Sequence, residues 1–166
     1  MIKIALDTSC LNANKRHFVL NQLEALHASG KIQLITSTVN EKEQDATNLR
    51  EDWRKKYLKE INSKVKILET GKLGISSFGE CVFASEEINT KLRKILPQRN
   101  LDGKVWYDFW LLETAVTVKC DFFLTMDTNH FIENGIGKKL EIELGIRTRE
   151  PNQEFLNELN EKILNS

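Results

Sequence analysis

Four acids stand where carboxylate chemistry would want them. Asp7 follows the strand pattern MIKIAL directly, and Asp127 follows the apolar run Phe122, Phe123, Leu124, Thr125. Both therefore fall at the carboxyl ends of strands, where open α/β sheets bind their ligands. Asp108 shares helical spacing with Leu112, Ala115 and Val116, so it sits on a side that must pack inward. An ionisable group there is costly unless it is hydrogen-bonded, paired or ligating a cation. Glu43 follows the second strand pattern: at ~100° per residue it falls about 40° from Val39, on the side of Ala46, Leu49, Trp53 and Tyr57. Glu41 falls about 200° away and fits a capping box opened by Thr38, although the alternative of Glu41 as the inward acid stays open.

Neighbouring strand-end acids repel one another unless a cation compensates them or one stays protonated. Hard carboxylate oxygens without thiolates or clustered imidazoles suit Mg²⁺ or Mn²⁺. Held in such a ring, these ions support in-line phosphodiester hydrolysis. No GxxxxGK[ST] or GxGxxG follows a strand, and no GxSxG elbow is present, so nucleotide-fuelled and serine-nucleophile chemistry are disfavoured. His130 reads as a surface residue or as one that supports the acids from outside. A dehalogenase-like phosphatase would want a second acid two residues after Asp7, where Ser9 stands.

The elements that must position these acids alternate along the chain. Strand patterns near residues 2, 31, 121 and 145 are separated by helix patterns, which predicts an α/β sandwich with a parallel sheet. Phe18, Val19, Leu23 and Leu26 mark a helix that stops at Gly30. Lys66 to Gly79 holds three glycines and little periodicity, and reads as a loop. Ser85 caps a helix carrying Ile88, Leu92, Ile95 and Leu96, and Asp102 is a plausible N-cap for the helix of Asp108. Leu140 and Leu144 mark a short helix, Gly145 to Thr148 a last strand, and Pro151 the start of a closing helix with Phe155, Leu156, Leu159 and Ile163 inward.

At 166 residues the chain reads as one domain, 1–166. Twenty-four basic and twenty-four acidic residues cancel, so any contact with a polyanion must come from a local patch. Arg50 to Lys66 supplies one, with seven basic and three acidic residues including Arg54, Lys55 and Lys56. The run reads as a solvated helix face or, functionally, as side chains that contact a phosphate backbone beside an acidic centre that otherwise repels it. Cys10, Cys81 and Cys120 form no CxxC pair, which suits a reduced compartment and disfavours a thiolate zinc site. Neither a signal-peptide pattern nor a run of ~18 apolar residues is present, so the expected setting is cytoplasmic, without a membrane.

LDTSCL near the N-terminus, a glutamate opening the helix after the second strand, and Asp108 in YDFWLLETA followed nineteen residues later by Asp127 in FFLTMDTNHF together resemble a PIN domain. The tail LGIRTREPNQEFLNEL is similar to that family's closing strand, proline and helix. The resemblance implies a three-layer α/β/α sandwich with a mostly parallel five-stranded sheet and a metal-dependent endoribonuclease. It carries over Asp7, Glu43, Asp108 and Asp127 as Mg²⁺ or Mn²⁺ ligands and catalytic residues, with Thr8 and Thr125 as hydroxyls that orient ligands or a water. Asn129 stands where some members place a further acid. RNA would be the substrate, and many small bacterial members are toxins of toxin–antitoxin pairs, which adds an antitoxin and a homodimer to the expected partners. The competing reading is a non-catalytic PIN-like RNA-binding or scaffold protein.

Overall fold

The computed structural model describes residues 1–13, 17–37, 66–70, 81–82, 84–96 and 104–165. Its framework is a sheet of six described strands: β1 (Ile2–Leu6), β2 (Ile32–Ser37), β3 (Lys66–Thr70), β4 (Cys81–Val82), β5 (Phe122–Leu124) and β6 (Arg147–Arg149). They lie in the order β4-β3-β2-β1-β5-β6, and every pairing is parallel. Five strands were expected; Lys66–Thr70, read from sequence as loop, is a strand beside β2. Its KILET run is too short and its flanks too glycine-rich for a periodicity argument to separate strand from loop.

Because the sheet is parallel, both faces must be covered, and alternate residues of the central strands serve different layers. Ile4, Leu6, Ile32, Leu34, Phe122 and Leu124 belong to one core cluster. It is closed by α1 (Thr8–Ala13), α2 (Phe18–Ala28) and α6 (Gln153–Leu164). Ala5, Ile35 and Phe123 point into the other, under α3 (Glu86–Ile95), α4 (Lys104–Thr117) and α5 (Ile136–Leu144). The result is the expected three-layer α/β/α sandwich. Edge-on aromatic pairs pin each layer to β5: Phe122 with Phe155 of α6, and Phe123 with Phe131, both at 5.2 Å between centroids. Such pairs contribute roughly 0.5–1.5 kcal/mol beyond the area they bury.

Local signals explain most helix ends. Gly30 takes φ +73, the left-handed conformation that ends α2. The Ser85 hydroxyl accepts from the Ile88 amide at 3.3 Å to open α3, as expected. Two expectations need correction. Phe18 opens α2 but is 64% exposed, and Leu20 is buried in its place with Val19 and Leu23. Pro151 does not start the closing helix: Asn152 caps it, accepting from the Phe155 amide at 2.9 Å, so Pro151 lies just outside. Thr38, Glu41, Arg54, Lys55, Lys56 and Asp102 lie outside the described residues. No described helix is long and apolar enough to cross a membrane.

The two ends of β5 do different work. At the amino end, Asp121 accepts from the Lys3 amide at 2.9 Å and from Lys162 Nζ of α6 at 2.7 Å. Burial pushes this carboxyl up, but the Lys162 hydrogen bond, the Lys3 amide and the lysine charge outweigh it and hold it below the usual range. A depressed folded pKa contributes stability that is present above the unfolded value, near 3.9, and is lost as the pH falls through the folded value. Asp121→Asn should therefore lower unfolding free energy at neutral pH by about 0.5–1 kcal/mol. In urea titrations at a series of pH values, that difference should shrink below about pH 4.

Candidate functional site

The carboxyl ends of β1 and β5 meet at one buried carboxylate. The register pairs Leu6 with Leu124, so the residues that follow, Asp7 and Thr125, leave the sheet side by side. Asp7 is 7% exposed and Thr125 is completely buried. Asp7 Oδ1 accepts from the Thr8 amide at 2.7 Å. Its Oδ2 accepts from two hydroxyls, Ser9 Oγ at 2.6 Å and Thr125 Oγ1 at 2.9 Å. The three donors are neutral, so they solvate the carboxylate without cancelling its charge. A carboxylate offers about four lone-pair directions; donors among the described residues fill three, and the fourth lies on Oδ1.

Both hydroxyls also accept, which fixes the direction of their protons. Ser9 Oγ accepts from the Met126 amide and Thr125 Oγ1 from the Asp127 amide, each at 3.0 Å. Two successive amides after β5 are thus tied to one acid at the end of β1. Asp127 is held close to Asp7 through a single threonine oxygen, while its own carboxylate stays exposed and accepts from the His130 amide at 3.1 Å.

Asp108 comes from the opposite layer. A helix that crosses back to feed a parallel strand starts over the carboxyl ends of the sheet and finishes over the amino ends. Asp108 lies in the first half of α4, and α4 hands the chain to β5 through a tight turn in which Lys119 adopts φ +57. Leu112 and Ala115 are fully buried beneath it, as the spacing predicts, and the Asp108 side chain is 25% exposed. His130 Nε2 stands 3.9 Å from Asp108 Oδ2.

The expected acids are thus brought together unequally. Asp7, Thr125 and Asp127 form one hydrogen-bonded unit, and Asp108 meets it through His130. Glu43 lies outside the described residues, but β2 runs parallel beside β1, with Ala5 paired to Ile35, so the chain leaves β2 on the Asp7 side six residues before Glu43. Among the described residues, no three His, Cys, Asp or Glu side chains form a group that could hold a metal ion. The donor type suits a hard cation, and the described acids are a partial set for one. Thr8 reaches Asp7 through its backbone amide. The hydroxyl partner alongside Thr125 is Ser9, which sequence reasoning weighed only as the absence of a second acid. A hydroxyl two residues past a strand-end aspartate was the signal.

Cys10 sits next to this unit, donating from Sγ to the Leu124 carbonyl at 3.4 Å. Burial, and then the Asp7 charge, push its thiol far above the usual range, so it is no thiolate ligand or nucleophile. Cys120, on the far side of the sheet, is pushed up to about 12 by burial.

No protein-family model matches this chain, and no curated protein matches it in sequence. Solved structures do match in shape. VapBC2 from Rickettsia felis, bound to a DNA fragment from its promoter, has a chain that superposes with TM-score 0.56 at 14% identity, covering 90% of this chain and 98% of that one. DNA-bound VapBC from Salmonella typhimurium gives 0.55 at 17%, covering 92% and 100%. VapBC-1 from nontypeable Haemophilus influenzae gives 0.53 at 13%, covering 90% and 98%. At these identities the likeness establishes the fold, which is PIN-like.

The Thr125 bridge has a measurable worth. Thr125→Val keeps the shape but removes one donor from a buried carboxylate and the acceptor of the Asp127 amide. It should cost about 1.5–3 kcal/mol in chemical denaturation, with Thr125→Ser recovering most of it. An unchanged midpoint for the valine variant would mean the bridge does not hold the site.

Proposed function

We propose that this chain is a metal-dependent endoribonuclease in which Asp7, Glu43, Asp108 and Asp127 hold Mg²⁺ or Mn²⁺ at the carboxyl ends of the parallel strands. The observation that carries the reading is the Asp7 unit: a buried carboxylate, fixed by three neutral donors, with its remaining lone pair on Oδ1 and Asp127 tied beside it. Fixing a charge in a dry place without neutralising it is an arrangement suited to a cation. A divalent ion held there supplies Lewis acidity for in-line displacement at a phosphodiester.

The chain's own groups divide the remaining work. Asp7 is the rigid anchor, since its carboxylate cannot turn without breaking contacts to two segments. Asp127 is exposed and accepts through Oδ1 from the His130 amide, and Asp108 comes from α4 with the imidazole of His130 3.9 Å away. Glu43 would close the ring from the β2 side. Arg54, Lys55 and Lys56, in the basic run that follows Glu43, would contact the RNA backbone. The shape match to the VapBC structures supports reading the chain as the toxin of a toxin–antitoxin pair, with an antitoxin protein as partner. A homodimer and a cytoplasmic setting complete the proposal.

The competing reading is a non-catalytic PIN-like RNA-binding or scaffold protein on the same fold; the nuclease reading counts on Glu43 joining Asp7, Asp108 and Asp127. The two readings separate in one assay. On a mixed RNA pool with Mn²⁺ or Mg²⁺, the nuclease reading predicts cutting that EDTA abolishes and that Asp7→Asn and Asp108→Asn each reduce by about 100-fold or more. Asparagine keeps the size and removes the charge. Binding of RNA without cutting, unaffected by either substitution, would establish the scaffold.

A further inference from the structure

His130 stands between two of the acids, bonded to one and facing the other. Its backbone amide donates to Asp127 Oδ1 at 3.1 Å, and its Nε2 stands 3.9 Å from Asp108 Oδ2. It lies in a π-helical turn, Asn129–Glu133, that directly follows the strand-end acid. Such turns carry an extra residue and are frequent at functional sites, because the added residue re-aims the side chains around it.

The imidazole is also braced from behind. It meets the Phe131 ring edge-on, with centroids 4.7 Å apart at 82°. Phe131 is 1% exposed and is itself edge-on to Phe123 of β5. A chain of aromatic contacts therefore runs from β5 to the imidazole, whose side chain is one-third exposed. Each contact restricts ring rotation, so Nε2 is held in place relative to the sheet that also fixes Asp7.

We propose that His130 is a positioning residue for the acidic site, its amide and imidazole setting the spacing of Asp127 and Asp108 at which a divalent cation is held. Two carboxylates that must share a cation repel each other until it arrives, and each has its own torsional freedom. Referring both to one braced residue removes that freedom before binding. The inference rests on the metal-site reading above. Groups that orient ligating carboxylates typically matter by 10–100-fold in metal affinity.

The test is Mn²⁺ affinity of the full chain, read by electron paramagnetic resonance, for wild type, Asp127→Asn, His130→Ala and His130→Gln. Wild type should bind, and Asp127→Asn should lose binding. His130→Ala should weaken binding by about 10–100-fold, and His130→Gln, whose amide nitrogen replaces Nε2, should recover most of it. Thermal unfolding of the two His130 variants shows that the affinity change is not loss of fold; a purely structural role would lower the midpoint and leave affinity per folded molecule unchanged. Mn²⁺ bound as tightly by His130→Ala as by wild type, or as weakly by His130→Gln as by His130→Ala, would overturn the assignment of His130 alone. Absence of Mn²⁺ binding by the wild type would overturn it together with the metal-site reading.

Discussion

The hydrogen bonds around the Asp7 carboxylate are the constraint on which the rest of the site depends. A charge this deeply buried is tolerated only when it is well hydrogen-bonded, and here three of its lone-pair directions are filled by Thr8 and Ser9 on one side and Thr125 on the other. Because both hydroxyls also accept from amides of the next segment, satisfying Asp7 fixes the exit of β5 as well. The position of Asp127 follows from that of Asp7. His130 is tied to Asp127 through its amide, and its imidazole stands 3.9 Å from Asp108, which α4 brings in from the other layer.

That chain of dependence is possible only because the sheet is parallel. β1 and β5 end at the same level, and the helix between one strand and the next begins over that end. Side chains separated by about a hundred residues in sequence are thereby delivered to one place, while the amino ends of the same strands carry an ordinary structural clamp. Asp121 with Lys3 and Lys162 makes the contrast plain: this acid is answered by a lysine, and Asp7 is held by neutral donors. At the open edge of the sheet, Arg147 and Arg149 of β6 engage Glu158 of α6 and stand near Glu141 of α5, which covers a strand that would otherwise offer unpaired backbone.

Much of this was legible in the sequence for identifiable reasons. β5 is a continuous apolar run because both its faces are buried, β1 and β2 are apolar apart from Lys3, Gln33 and Thr36, and each of the three gives way to a polar residue where the sheet ends. The helical spacing of Asp108 with Leu112 and Ala115 placed that acid on the inward side. What was not legible is equally physical. Ser9 and Thr8 are adjacent hydroxyl residues, and only the backbone path into α1 decides that the Ser9 hydroxyl and the Thr8 amide turn to Asp7. The π-helical turn after Asp127 has no compositional mark, so the sequence left His130 between a surface residue and one that supports the acids from outside, and did not place it beside Asp108. Gly137 reads as an unfavourable helix residue until the fold shows that a Cβ there would lie 2.9 Å from Thr148 Cβ, where α5 crosses β6.

The central claim is that acids from separate strands and a helix converge on one cation. Crystals of the chain soaked in Mn²⁺ and measured at the manganese absorption edge test it most directly. The account predicts an anomalous peak within ligand distance of Asp7 Oδ1 and Asp127, bordered by Asp108 and Glu43, at the ~2.0–2.2 Å expected for a small hard cation on carboxylate oxygen. A structure in which Glu43 points away and no peak stands beside Asp7 would contradict it.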